Sequence, residues 1–289
     1  MSKDNQNGTG CGSSGCGQGQ VKEASNDKDG QISASLSRIQ HKILVMSGKG
    51  GVGKSSVSAG LAIQLANSGY RVGLLDVDIH GPSLARIMGV KGLLQVSAER
   101  KVTPHVVDER LKVVSMQLLM KDHDQAVIWR GPAKAGVIRQ FLSDVAWGDL
   151  DFLIIDAPPG TGDEPLGVAQ TIPEAKAVIV TTPQDVALLD VRKSINFCRV
   201  IGMTMLGLVE NMGPFPCPCC GKPLALFKSG GGQATASQME VPFLGTLPFD
   251  PQVVKACDNG QAKALWESNA AFTDAMAGIV QKIVGSLSP

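Results

Sequence analysis

Residues 48–55 read Gly48-Lys49-Gly50-Gly51-Val52-Gly53-Lys54-Ser55, directly after the apolar run Ile43-Leu44-Val45-Met46 and just before residues 57–65, whose apolar positions recur at helical spacing. The order is strand, loop, helix. A G-x-x-x-x-G-K-S loop lets successive backbone N–H groups converge on phosphate oxygens, because glycines accept the required dihedrals and carry no obstructing side chain. The following helix N-terminus adds partial positive charge. The nucleotide-binding set is therefore read as Gly48, Lys49, Gly50, Gly51, Val52, Gly53, Lys54, Ser55 and Ser56. Lys54 is expected to reach the β- and γ-phosphates, and the Ser55 hydroxyl to ligate Mg2+.

Lys49 is a second lysine, immediately after the first glycine of the loop. From the loop's outer edge its side chain extends more easily toward phosphates held by a neighbouring subunit than toward its own. In that position it acts as an arginine finger does in trans, a device worth about 10^3–10^5 in rate. A homodimer joined by ATP and hydrolysing it is the consequence.

The 289 residues carry 27 basic and 26 acidic side chains, a formal net charge of +1, and are 43% hydrophobic. This suffices for a sizeable core and leaves no electrostatic footprint for nucleic acid or an anionic membrane. No apolar run approaches the roughly 20 residues of a membrane span, and the first residues are polar. The expected location is cytoplasmic. Seven cysteines in such a chain point to metal or redox chemistry rather than a disulfide framework.

Residues 1–35 are dominated by Gly, Ser, Asn, Gln and Lys and read as a flexible tail, within which Cys11 and Cys16 are spaced C-x4-C. Either they contribute to a cluster with ligands from elsewhere or the tail is dispensable. From residue 36 to 289, strands alternate with helices in a single expected domain. The fold class is α/β: a doubly wound, mostly parallel sheet with helices on both faces.

The second strand, 72–76, ends in Asp76, and Asp78 follows in D-V-D-I-H-G-P-S. Ligands bind at the carboxyl edge of such sheets, so Asp76 is expected to hold a magnesium-bound water and Asp78 to orient the attacking water. A helix-capping turn is the bland alternative. Short strands are expected near 93–96 and 112–115. His105 and His123 read as exposed or satisfied histidines rather than ligands. Trp129-Arg130-Gly131-Pro132 opens a helix over 133–145.

Phe152-Leu153-Ile154-Ile155-Asp156 reads as a buried central strand whose terminal Asp156 contacts Mg2+, and 157–163 as the loop that senses the γ-phosphate. Asp163 is either the cap of a helix starting at 164 or part of the switch. Strands at 177–182 and 205–209 flank a helix over 185–201 that buries Cys198. Asn211, after the second strand, is a candidate for the adenine edge. The last strand is 243–248, and the loop 249–252, with Pro248 and Asp250, covers the other side of the base. A helix over 262–284 closes the sheet.

A second chemical centre lies in the loop 213–223. Cys217-Pro218-Cys219-Cys220-Gly221 contains a C-x-x-C turn, in which Cys217 and Cys220 point both sulfurs at one spot. A two-fold dimer supplies two copies and completes a four-thiolate site. Zinc or a [4Fe-4S] cluster fits that ligand set equally. Cys219, between them, reads as facing away from the focus, a bystander or a substitute ligand.

Together these residues resemble the Mrp/ApbC group of iron-sulfur-carrying P-loop ATPases, relatives of the MinD and ParA positioning ATPases and of nitrogenase iron protein. The resemblance covers about residues 36–285 and rests on S-G-K-G-G-V-G-K-S, D-V-D-I-H-G-P-S, W-R-G-P, the D-F-L-I-I-D-A-P-P-G-T-G-D run, N-M-G-P-F-P-C-P-C-C-G and G-G-G-Q-A-T-A with V-P-F-L-G. It implies ATP, Mg2+ and a transferable [4Fe-4S] cluster bridged by Cys217 and Cys220 of two subunits, with apo iron-sulfur proteins as recipients. The four-cysteine N-terminal motif of some members is represented here only by Cys11 and Cys16. The alternative from the residues alone is a zinc-clamped positioning or regulatory ATPase without cluster transfer.

Overall fold

Runs of buried aliphatic residues make the strands. The computed structural model describes residues 30, 32–78, 81–98, 101–119, 136, 138–139, 143–217, 219–268 and 270–287. Its strands are β1 (Ile39–Ser47), β2 (Val72–Asp76), β3 (Gln95–Val96), β4 (Val102–Thr103), β5 (His105–Val106), β6 (Leu111–Ser115), β7 (Leu150–Asp156), β8 (Lys176–Thr181), β9 (Met205–Gly213), β10 (Phe215–Pro216), β11 (Pro223–Leu224) and β12 (Phe243–Pro248). Its helices are α1 (Lys54–Asn67), α2 (Leu84–Ile87), α3 (Asp163–Thr171), α4 (Asp185–Val200), α5 (Gly231–Gln238), α6 (Pro251–Asp258), α7 (Ala262–Ser268) and α8 (Ala270–Leu287).

Eight strands form one sheet in the order β12-β9-β8-β1-β7-β2-β6-β5. All neighbours are parallel except β5, which runs antiparallel to β6 at the edge. The sheet is buried on both faces, which explains the near-continuous apolar sequences of β1, β7 and β8. One core cluster joins α1 and α8 to a face of the sheet; the other packs α3, α4 and α5 against the opposite face. On α8, Phe272, Met276, Ile279, Val280 and Ile283 recur at helical spacing and are all buried, each contributing about 1.5–3 kcal/mol. Because the long strands are parallel, their carboxyl ends share one edge, and the loops after β1, β2, β7, β9 and β12 meet there.

Several boundaries differ from expectation. Strand β9 continues through Asn211 to Gly213, because pairing with β12 extends to Pro248↔Gly213, so Asn211 lies within the strand and not after it. The run read as one helix over 262–284 is assigned as α7 and α8, with Trp266 and Phe272 packed at 5.8 Å between ring centroids. The loop read over 249–252 is shorter: α6 begins at Pro251, with Asp250 as its N-cap accepting from Gln252 N at 2.7 Å. Val145, expected in a helix, forms a parallel bridge with Val102. Helix α3 starts at Asp163 with Gly162 as N-cap, so Asp163 supplies first-turn charge rather than the cap. Ile32 and Leu36 are both buried in the second core cluster, although 32–35 read as tail. Cys11, Cys16, His123 and Trp129-Arg130-Gly131-Pro132 lie outside the described residues.

Candidate functional site

The phosphate-binding loop is held from two sides. At Gly48, an added Cβ would fall 2.4 Å from the backbone of Asp190 on α4, so this glycine allows the helix to close on the loop. At the other end Gly53 has φ +81°, and a Cβ there would meet Asn211 Nδ2 at 2.2 Å. Asn211 is buried and donates to the Val52 carbonyl at 3.0 Å. Its amide thus latches the loop from β9.

Two carboxylate-bearing strand ends converge behind the loop, with Asp78 just past the first. Asp76 and Asp156 are direct register partners on β2 and β7, and both are fully buried. Lys54 Nζ lies 2.8 Å from Asp156 Oδ1. Ser55 Oγ donates to Asp156 Oδ2 at 2.6 Å, and Ser58 Oγ to Asp156 Oδ1 at 2.7 Å. Asp76 accepts from Asp78 N, Ser83 N, Leu84 N and Ser115 Oγ, so it also fixes the start of α2. Burial, reinforced by the Asp156 charge, pushes the Asp76 carboxyl up to about 7. Asp78 accepts from Gly81 N at 3.0 Å and lines the adjoining cavity.

That cavity measures about 500 Å3 and brings together Lys49, Lys54, Ser55, Ser56, Asp78 and Pro159. Pro159 belongs to the 157–163 loop, which is tied to β1 through Gly160 N to the Ser47 carbonyl at 2.8 Å. Ser47 Oγ donates to the Lys49 carbonyl at 3.0 Å. Met212, Val254 and Cys257 complete the lining, with Met212 next to Gly53 and Cys257 next to Ser56. Pro248 and Asp250 are not among the cavity's lining residues; Asp250 is engaged in capping α6. A second cavity of about 320 Å3, lined in part by Ile32, Leu36, Thr171 and Glu174, opens at the opposite edge of the sheet and carries none of the motif residues.

The cysteine turn is displayed on the two-stranded hairpin β10–β11. Cys217 N donates to the Lys222 carbonyl at 2.9 Å, and Gly221 N to the Cys217 carbonyl at 2.8 Å, closing a tight turn. The backbone N–H groups of Cys219 and Cys220, and then their thiols, approach the Cys217 sulfur and hold its pKa below the ordinary thiol value. Cys219 is exposed, and of its groups the backbone N–H bears most on the Cys217 sulfur. Cys198, by contrast, is fully buried, and burial pushes its thiol up to about 11.

Two structural contributors escape a reading of the motifs. Ser58 lies four residues after Lys54, on the same face of α1, which is the signal that places it on Asp156. Glu210 is a buried acid inside an apolar strand; it accepts from Gly232 N at 2.5 Å and Gly230 N at 3.3 Å, anchoring the chain that returns from the hairpin. Its trace in the sequence is an acid closing Leu208-Val209-Glu210 upstream of Gly230-Gly231-Gly232.

The family model ParA, described as NUBPL iron-transfer P-loop NTPase, matches residues 38–284. This chain belongs to that family. It is 43% identical over 268 residues to an iron-sulfur cluster carrier protein of Methanocaldococcus jannaschii, covering 92% of each chain. It is 50% identical over 232 residues to a cytosolic Fe-S cluster assembly factor NUBP2 homolog of Culex quinquefasciatus, covering 78% of this chain and 90% of the relative. Among solved structures, a nucleotide-binding protein from Archaeoglobus fulgidus in complex with ADP superposes with a TM-score of 0.73 at 40% identity, over 85% of this chain and 96% of that one. The Pyrococcus furiosus cell-division ATPase MinD superposes at TM-score 0.62 and 22% identity, over 86% and 99% of the chains, which shows the shared fold. Membership makes the P-loop NTPase fold and an iron-sulfur connection common to this chain and its relatives. Among the described residues, no helix is long and apolar enough to cross a membrane.

Proposed function

We propose that this protein is an ATP-hydrolysing carrier that assembles a [4Fe-4S] cluster between the Cys217 and Cys220 thiols of two copies and passes it to apo-proteins. The observation that carries this reading is the Cys217-to-Cys220 turn, exposed on a short hairpin that continues the strand forming the nucleotide-cavity wall. The cluster is cargo: thiols that are solvent-near, with Cys217 already biased toward thiolate, suit capture and release.

The donor set fits Mg2+. Ser55 Oγ and Asp156 Oδ2 lie 2.6 Å apart, with the Asp76 carboxylate as register partner behind them, an all-oxygen set of the kind this hard cation takes. When bound, the ion neutralises charge on the β- and γ-phosphates. In this reading Lys54 exchanges Asp156 for phosphate oxygens, and the loop N–H groups of residues 48–56 orient the triphosphate. Asp78, at the cavity wall, holds the attacking water. Asn211 keeps the loop in place and presents its remaining amide capacity to adenine, with Pro248 and Asp250 on the far side of the base. Lys49, at the cavity mouth, reaches the partner's phosphates. Hydrolysis is slow and serves as a switch, and the protein works in the cytosol, a reading supported by its similarity to the cytosolic assembly factor of Culex quinquefasciatus.

Anaerobic reconstitution with iron and sulfide tests the reading. About four irons per two chains, with a broad thiolate-to-iron absorbance lost in Cys217→Ala and in Cys220→Ala, is the expected result. A colourless dimer holding one zinc on the same thiols would replace it with a zinc-clamped regulatory ATPase.

A further inference from the structure

Among the described residues, only Met212 and Glu240 combine a side chain with a left-handed backbone. Glu240 follows the last turn of α5, where Val241 N reaches back to the Ala236 carbonyl at 2.9 Å, and a left-handed residue is the ordinary way to end a helix. Met212 sits at a bulge: between the pairs Thr246↔Glu210 and Pro248↔Gly213, β9 advances three residues against two on β12. Its backbone there is left-handed at φ +60°, a conformation a non-glycine residue keeps only where its surroundings impose it, and a bulge of this kind re-aims a side chain beside a site.

Those surroundings link two sites. On its N-terminal side, Asn211 holds the Val52 carbonyl of the phosphate loop. The Met212 side chain lines the nucleotide cavity, its methyl 3.7 Å from where a Cβ on Gly53 would sit. On its C-terminal side, Gly213 accepts from Phe249 N at 2.9 Å, and a Cβ on Gly213 would collide with Thr246 at 2.2 Å. Phe215, the first residue of the hairpin, packs on Phe249 at 5.5 Å between ring centroids. Cys217 follows two residues later. Glu210, on the same strand, fixes the returning chain at Gly230 and Gly232. One strap thus touches the phosphate loop, one wall of the cavity, the outgoing leg of the cysteine hairpin and the start of α5, to which the chain returns.

We infer that Met212 is a positioning residue that couples the nucleotide cavity to the cysteine turn within a single chain. A nucleotide in the cavity presses on the Met212 side chain and the Asn211 latch, and the strained backbone between them transmits the displacement through Gly213 and Phe215 to Cys217 and Cys220. This rests on the reading of the cavity as a nucleotide site and of the two thiols as cargo ligands. It adds that no second copy is needed for one to sense the other.

The test is the alkylation rate of Cys217 and Cys220 by iodoacetamide, read peptide by peptide by mass spectrometry on the metal-free full chain. It is run with and without saturating ADP, at protein concentrations a hundredfold apart, with saturation checked by calorimetry. ADP is expected to change the rate about fivefold, the low end of common coupling factors, and equally at both concentrations. Met212→Gly relieves the strain, and Phe215→Leu loosens the ring contact. In each variant the change at saturating ADP is expected to fall below about twofold, under the ordinary range of coupling between linked sites. Full coupling in both variants, no change in the parent chain with ADP bound, or an effect confined to high concentration would each overturn the inference. Failure of iron loading alongside an intact ADP effect would instead overturn the carrier reading and leave the strap standing.

Discussion

The phosphate loop and the cysteine hairpin are built on opposite principles. The loop is clamped by α4 at Gly48 and by Asn211 at Val52, and its Lys54 pairs with buried Asp156 at the end of β7. The hairpin has strands of two residues each and exposed neighbours such as Leu224 and Leu226, and it draws its geometry from the strand that leads into it. Preorganised charge suits a triphosphate, whose transition state needs fixed donors. An exposed turn suits a cargo that must leave. Substitutions in the first region should therefore cost stability and function together, and substitutions in the second function alone.

The largest effect is expected at Lys54. Lys54→Ala removes the cation paired with buried Asp156, so about 3–5 kcal/mol of stability should go, along with nucleotide binding and hydrolysis. Cys217→Ala should abolish iron loading and shift unfolding by no more than about 0.5 kcal/mol, since the residue is not buried. Calorimetry and iron analysis on both variants check the contrast; a hairpin variant that unfolds the domain would erase it. Lys49→Ala is intermediate: hydrolysis falls by about 10^3-fold if the lysine acts in trans, while nucleotide binding, measured by calorimetry, stays.

A smaller effect follows from Asp76. The folded chain keeps its proton up to about pH 7, whereas the unfolded chain releases it near the ordinary carboxylate value. Between those values the folded state binds more protons, so this group's contribution to stability is present at low pH and is lost as pH rises through about 7. Mg-ADP, which favours the ionised carboxylate, should therefore raise the melting temperature more at pH 8 than at pH 6. Equal shifts at the two pH values would separate Asp76 from the ion.

Much of the fold and site is legible in the sequence because it depends on local rules. Strand β2 ends at Asp76 and strand β12 spans residues 243–248 as the apolar runs imply, and the G-K-S motif needs only its own glycines. What is not legible depends on tertiary pairing. Asn211 reads as following its strand because Glu210 and Asn211 are polar; pairing with β12 carries the strand past them to Gly213. Its contact with Val52 spans 159 positions of sequence, and no spacing rule announces it.

The smallest effect concerns Asp250, where cap and base contact give different answers. Its side chain accepts from Gln252 N at the start of α6, so Asp250→Ala should cost about 1 kcal/mol, a melting shift of about 2–4 °C. The helix it starts carries Val254 and Cys257 into the cavity wall, so some loss of nucleotide affinity follows from capping alone. Asn restores a cap but not the charge, which separates the two roles. If Asp250→Asn recovers both melting temperature and ADP affinity, the residue serves the helix. If it recovers the melting temperature while ADP affinity stays about tenfold down, as a lost charge-assisted hydrogen bond requires, Asp250 reads the nucleotide itself, and the wall that β9 builds on one side of the base has its counterpart on the other.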